Sequence, residues 1–226
     1  MSRPDAPSGR TGRPPVTSRA QILAAARQII ERDGWEKLTV RRLATELGIG
    51  TTTLYHHIRD REDLLVQLIN ELAERTLHLE LPSEPRDRII AAATAIHDSL
   101  AGVPWAAEIL TTDGFLGRLG QPALRMVEAI VAGAIAHGCT PAQAVDVFRS
   151  IWYYTVGEIL VRIHSARRRP ADERDPFFSS SLDTSQLPRL AALGDQWPEL
   201  AARDTYPQAI EAFVDGLLAQ ATSATP

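Results

Sequence analysis

The chain has 226 residues, 44% hydrophobic and 23% charged, a balance that supports a packed core and excludes wholesale disorder. No run of about eighteen apolar residues occurs, so no membrane span is expected, and the polar first ten residues lack the apolar region of a secretion signal. The net charge of −4 would argue against a nucleic-acid partner if it were evenly spread, but residues 1–61 hold eleven Lys or Arg against six Asp or Glu, a net +5, which leaves −9 for 62–226.

A basic head on an acidic body suits a modular DNA binder, because phosphate neutralisation supplies much of the affinity. Residues 1–17, rich in Pro, Gly, Ser and Arg, read as a flexible basic arm. Within it Arg3, Arg10 and Arg13 are either phosphate or minor-groove contacts or plain solvated charges. Ser18-Arg-Ala-Gln21 has capping-box form, and Ile22, Leu23, Ala26, Ile29 and Ile30 follow at helical spacing up to Asp33-Gly34. Leu43, Ala44 and Leu47 then give a short helix its inner face. Gly48 provides the turn, and Leu54 and Ile58 anchor a second helix at i, i+4. Thr51, Thr52, Thr53, Tyr55, His56 and His57 are left pointing outward. Two short helices joined by a glycine turn, with such a face, read as a helix-turn-helix that enters the major groove. Asp60-Arg-Glu-Asp63 caps a longer helix carrying Leu64, Leu65, Leu68, Ile69 and Leu72 and ending before Pro82.

Beyond Pro82 the pattern predicts helices near 85–101, 105–112, 118–137, 141–168, 187–194 and 206–220, with prolines at several starts, where a missing N–H does no harm. No strand pattern and no internal repeat is evident. Residues 169–188 form a polar, Pro- and Ser-bearing gap, read as a flexible or partner-contacting arm. Cys139, the single cysteine, lies in a turn with no second ligand beside it and reads as a packed thiol in a reducing compartment. No Walker loop, dinucleotide motif, nucleophile elbow or zinc box is present, and His78, His97, His137 and His164 lack metal-ligand spacing.

The segment from Leu38 to Leu65, above all Leu54-Tyr55-His56-His57 followed by Arg61-Glu62-Asp63-Leu64, closely resembles the signature of TetR-family transcriptional regulators. That resemblance implies an all-α homodimer, with an N-terminal three-helix DNA-binding domain and a C-terminal helical effector-binding and dimerisation domain. The expected divisions are an arm at 1–17, the helix-turn-helix at 18–61, the sensing body at 62–221 and a tail at 222–226. By the resemblance, Arg41 is a base or phosphate contact, Tyr55 and His56 are backbone clamps, and Arg61 is a phosphate contact. His57 is a third clamp or a packed neighbour. Thr51, Thr52 and Thr53 each offer a hydroxyl to phosphate or base edge and a methyl to thymine. Arg42 is left open between contact and solvated charge. One departure stands out: Gly50 occupies a position where the family usually carries Ser, Glu or another side chain able to start the reading helix.

In the body, Val145, Phe148, Ile151, Trp152, Thr155, Val156, Ile159 and Ile163 on one helix, and Ala209, Phe213, Val214, Leu217 and Leu218 on the last, read either as a four-helix dimer seam or as core. His97, Trp105, Trp152, Tyr153, Tyr154 and Glu158 are polar or aromatic residues on otherwise apolar helices, and therefore candidate effector contacts. Glu158 in particular needs a partner, either a cationic ligand or a nearby Arg. The repressors of tetracycline hold magnesium through a histidine in mid-body, and Val103–Leu110 has none, which argues against that drug. The expected protein is a cytoplasmic, ligand-responsive regulator, with operator DNA, a small-molecule effector and a second copy as partners. It is expected to need no cofactor or metal and to have no catalytic residues or membrane partner. A helical small-molecule enzyme or an architectural DNA-binding dimer is the alternative.

Overall fold

The computed structural model describes residues 17–78, 80–111, 116–167 and 185–223. The arm before Thr17 and most of the 169–188 gap lie outside them. Every regular element among the described residues is helical: α1 (Arg19–Asp33), α2 (Val40–Leu47), α3 (Thr51–Tyr55), α4 (Arg61–Thr76), α5 (Pro85–Ala101), α6 (Pro104–Leu110), α7 (Gln121–Ala136), α8 (Pro141–Arg167), α9 (Pro188–Leu193), α10 (Trp197–Ala201) and α11 (Tyr206–Ser223), with short 3-10 turns between some of them. The chain forms two compact units that divide within α4, between Leu68 and Ile69.

In the first unit, α1 starts on a reciprocal cap: Gln21 N–H donates to Ser18 Oγ at 3.2 Å and Ser18 N–H to Gln21 Oε1 at 2.8 Å. Its apolar face buries Ile22, Ala26 and Ile29 completely. Gly34, at φ 88°, stops the helix in a conformation other residues resist. Thr39 caps α2 by accepting from Arg42 N–H at 3.2 Å. Gly48 turns the chain at φ 64° in the left-handed region, so that α3 follows after two residues. Leu43, Leu54 and Leu64, all fully buried, lock α2, α3 and the start of α4 to that core. Each such side chain contributes about 1.5–3 kcal/mol, and their spacing fixes which residues of α3 face outward.

The second unit is centred on α5, α7, α8 and α11. Ile89, Ile130, Ile151, Ile210 and Val214 form its middle, each at most 1% exposed. Gly133 lets α5 and α7 approach closely: a Cβ there would sit 2.7 Å from Ile89 Cγ1 and 2.9 Å from the Pro85 carbonyl oxygen. Two expectations are corrected. The helix read from 118 begins only at Gln121, because Leu116–Arg118 winds as a 3-10 turn and Gly120 breaks it from α7. The helix α10 falls between two expected segments.

Candidate nucleic-acid interface and ligand cavity

The turn of α3 is short, and its outward face is polar. Gly50 precedes it without any side-chain cap, and Thr51, Thr52, Thr53 and His56 are exposed. Tyr55 is 56% exposed, whereas His57 is half-buried and its carbonyl accepts from Gln67 Nε2 at 3.2 Å. Beneath this face Leu54 and Ile58 are buried. Arg41 is exposed at the second residue of α2. Arg42 instead turns back to Asp33, with Nη2 to Oδ2 at 2.5 Å, and so resolves as a tie between α2 and α1.

Arg61, expected as a phosphate contact, makes close contacts within the first unit. It is half-buried, its Nε donates to the Leu38 carbonyl at 2.6 Å and its Nη2 to the Trp35 carbonyl at 2.8 Å. The guanidinium also lies over the Trp35 ring, 5.0 Å from its centroid. The first residue of α4 thus braces the 3-10 turn that leads into α2. A second tie is Asp63, whose carboxylate accepts from Arg59 N–H at 3.0 Å, from the Arg59 guanidinium at 3.1 Å and from Gln67 at 3.0 Å. Burial pulls its pKa upward, but these donors outweigh burial and hold it below the ordinary aspartate value.

The second unit contains a cavity of about 240 Å³. Ile69, Leu72, Ala73 and Leu77 supply one side, Ile96, Ser99 and Leu100 of α5 another, and Phe148, Arg149, Trp152 and Tyr153 of α8 a third. Leu116 and Leu119 contribute from the segment before α7. Asn70 fastens that segment to α4: its Oδ1 accepts from Gly120 N–H at 2.7 Å and its Nδ2 donates to the Arg118 carbonyl at 3.3 Å. The walls are predominantly apolar with a few polar groups, the usual form of a small-molecule site.

Residues 22–68 match the family model described as bacterial regulatory proteins, tetR family. The chain is 29% identical over 146 residues to an HTH-type transcriptional regulator of Saccharopolyspora erythraea, covering 64% of this chain and 61% of that one. It is 28% identical over 200 residues to the class A tetracycline repressor from transposon 1721 of Escherichia coli, covering 87% and 88%. Residues 22–68 are thus a tetR-family region. A solved structure of the tetR-family protein ActR of Streptomyces coelicolor, in complex with (S)-DNPA, shares the fold at TM-score 0.70 and 20% identity, over 91% of this chain and 98% of that one.

The six candidate effector contacts separate. Trp152 and Tyr153 line the cavity, whereas His97, Tyr154 and Glu158 do not. Those three belong to an internal cluster. His97 Nδ1 lies 3.0 Å from Asp98 Oδ1 and its Nε2 3.0 Å from Glu158 Oε2, while its ring stacks on Tyr206 at 3.7 Å. Glu158 also accepts from Arg162 Nε at 2.6 Å, so the partner it needed comes from within the chain. Tyr206 hydroxyl shares a 2.8 Å bond with Thr155, and Tyr154 stacks on Tyr206 at 5.6 Å. Burial pushes the Tyr206 and Tyr154 hydroxyls above the usual tyrosine range, and the Glu158 charge adds to it. Trp105, half-buried on α6, lines no part of the cavity. Sequence reasoning missed Phe148 and Arg149 as cavity residues. Their spacing of three and four from Ile151, Trp152 and Tyr153 was the available signal.

Of the α8 residues expected in a dimer seam or core, Ile151, Thr155, Val156 and Ile159 are buried within the unit and Val145 is exposed. Outside that set Tyr153 and Val161 are exposed as well, Val161 at 67%.

Proposed function

We propose that this protein is a ligand-responsive transcriptional regulator that acts in the cytoplasm as a homodimer, binds a palindromic operator through α2 and α3, and leaves it when a small molecule fills the cavity. The observation that carries the DNA reading is the outward face of α3, with Thr51, Thr52, Thr53, Tyr55 and His56 exposed above buried Leu54 and Ile58. Arg41, at the start of α2, reads a base edge, and His57, half-buried, supports the clamp formed by Tyr55 and His56. The tetracycline repressor among its relatives is named for repression and for a drug, which favours repression relieved by a ligand.

The effector reading rests on α4. Leu64, Leu65 and Leu68 of this helix belong to the reading unit's core, and Ile69, Leu72 and Ala73 of the same helix line the cavity. A ligand that moves the wall therefore acts on a helix that the DNA unit also contains. The second copy packs on the exposed apolar side of α8.

The test is selection of bound DNA from a random pool with the full chain, at low salt. A recurring palindrome with half-sites about one helical turn apart is expected. Arg41→Ala should then lose discrimination at one position by about 1–3 kcal/mol. Enrichment of no common site would overturn the proposal.

A further inference from the structure

The walls of the cavity also state what charge its occupant carries. Among the described lining residues Arg149 is the charged side chain, and no Asp or Glu contributes. Its Nη2 donates to Tyr153 hydroxyl at 3.1 Å, and its guanidinium carbon lies 5.6 Å from the centroid of the same ring. Neither contact neutralises the exposed guanidinium, because a phenol is an uncharged acceptor, and Asp146 acts on it only through space, without a described ion pair. Beside it Phe148, Trp152 and Tyr153 present aromatic surface. A cationic ligand entering here would lose hydration and meet a like charge. An acid would meet a planar fork with donors to spare.

We infer that the cavity takes an aromatic acid, with its rings against Phe148 and Trp152 and its anionic group on the Arg149 guanidinium. The inference rests on the reading of this cavity as the effector site, and it names the chemical class that the site selects. Glu158, the residue that suggested a cationic ligand, is already occupied by His97 and Arg162, so it makes no competing demand.

Two fluorescent probes that differ by one group test it: 8-anilino-1-naphthalenesulfonate, and N-phenyl-1-naphthylamine, the same ring system without the sulfonate. Each is titrated into the full chain, into Arg149→Gln, and into Ala123→Trp, which fills the cavity from α7. Circular dichroism confirms that the variants are folded. The sulfonate should bind the parent about tenfold more tightly than the neutral probe. Arg149→Gln should remove that preference while leaving the neutral probe's affinity unchanged, and Ala123→Trp should weaken both. Equal or tighter binding of the neutral probe, or a preference that survives Arg149→Gln, overturns the inference. If neither probe binds the parent, both the inference and the effector-site reading fall. If the sulfonate binds through Arg149 but does not release the selected DNA, the ligand class stands and the effector reading falls.

Discussion

Arg61 offers the sharpest test of how the reading head is held. Replacing it with Ala removes two charge-assisted bonds, to the Leu38 and Trp35 carbonyls at 2.6 and 2.8 Å, together with the stacking on Trp35. Hydrogen bonds to charged groups contribute about 1.5–3 kcal/mol each, and an exposed cation–π contact about 0.5–1 kcal/mol. The Trp35 carbonyl keeps a donor, since Leu38 N–H reaches it at 3.1 Å. Half-burial of the guanidinium reduces the gain further, so the expected loss is about 2–4 kcal/mol from the first unit. Urea denaturation followed by circular dichroism measures it, and amide exchange in α2 locates it. Arg61→Lys keeps the charge but cannot span both carbonyls, so it should recover less than half of the loss. The contrary result is an unchanged denaturation midpoint in Arg61→Ala, with DNA affinity falling equally on all sequences and the salt slope reduced by about one. That outcome would make Arg61 a phosphate contact and refute the brace.

Gly133→Ala gains about 1 kcal/mol of helix propensity but forces a Cβ to within 2.9 Å of the Pro85 carbonyl, an overpacking worth about 1–3 kcal/mol. A lowered melting temperature is expected, and a raised one would show that α5 and α7 can separate freely. Asp63, depressed below its ordinary value of 3.8, stabilises the native state above that pH and loses the effect as pH falls through the lower native pKa. Below about pH 4 the parent's melting temperature should therefore rise with pH more steeply than that of Asp63→Asn; parallel curves would contradict this. Val161→Glu places a charge on the exposed apolar side of α8, where Val161 is 67% exposed. Sedimentation should show monomer in place of dimer, with the fold intact by circular dichroism.

Local rules made most of the first unit legible. The Ser18–Gln21 box, the Gly34 stop and the Gly48 turn each depend on residues within a few positions of one another, and each forms as read. Leu54 and Ile58 are both buried, but α3 ends at Tyr55, so Ile58 anchors from beyond the helix rather than on it. The cap that opens α8 is equally local, Thr140 and Gln143 exchanging reciprocal bonds of 2.8 and 3.3 Å. The cavity was less legible. Glu158, His97 and Tyr154 look like ligand contacts by residue type, yet Glu158 pairs with His97 while His97 and Tyr154 both stack on Tyr206 at the start of α11, a meeting no spacing along one helix announces. Arg149, which the sequence did not single out, lines the cavity beside Phe148 and Trp152 on the same helix. Arg61 was assigned by motif position, and its two carbonyl partners lie 23 and 26 residues earlier in the chain.

The brevity of α3 has an evolutionary corollary. Leu54 alone of its five residues is buried, so the other side chains, which recognise DNA in the proposed function, contribute almost nothing to folding. Thr51, Thr52 and Thr53 can therefore be exchanged with little thermodynamic resistance, and descendants of this chain can acquire new target sites by altering a single exposed turn. The vocabulary of the reader is free to drift, whereas its grammar, set by leucine and isoleucine underneath, is not.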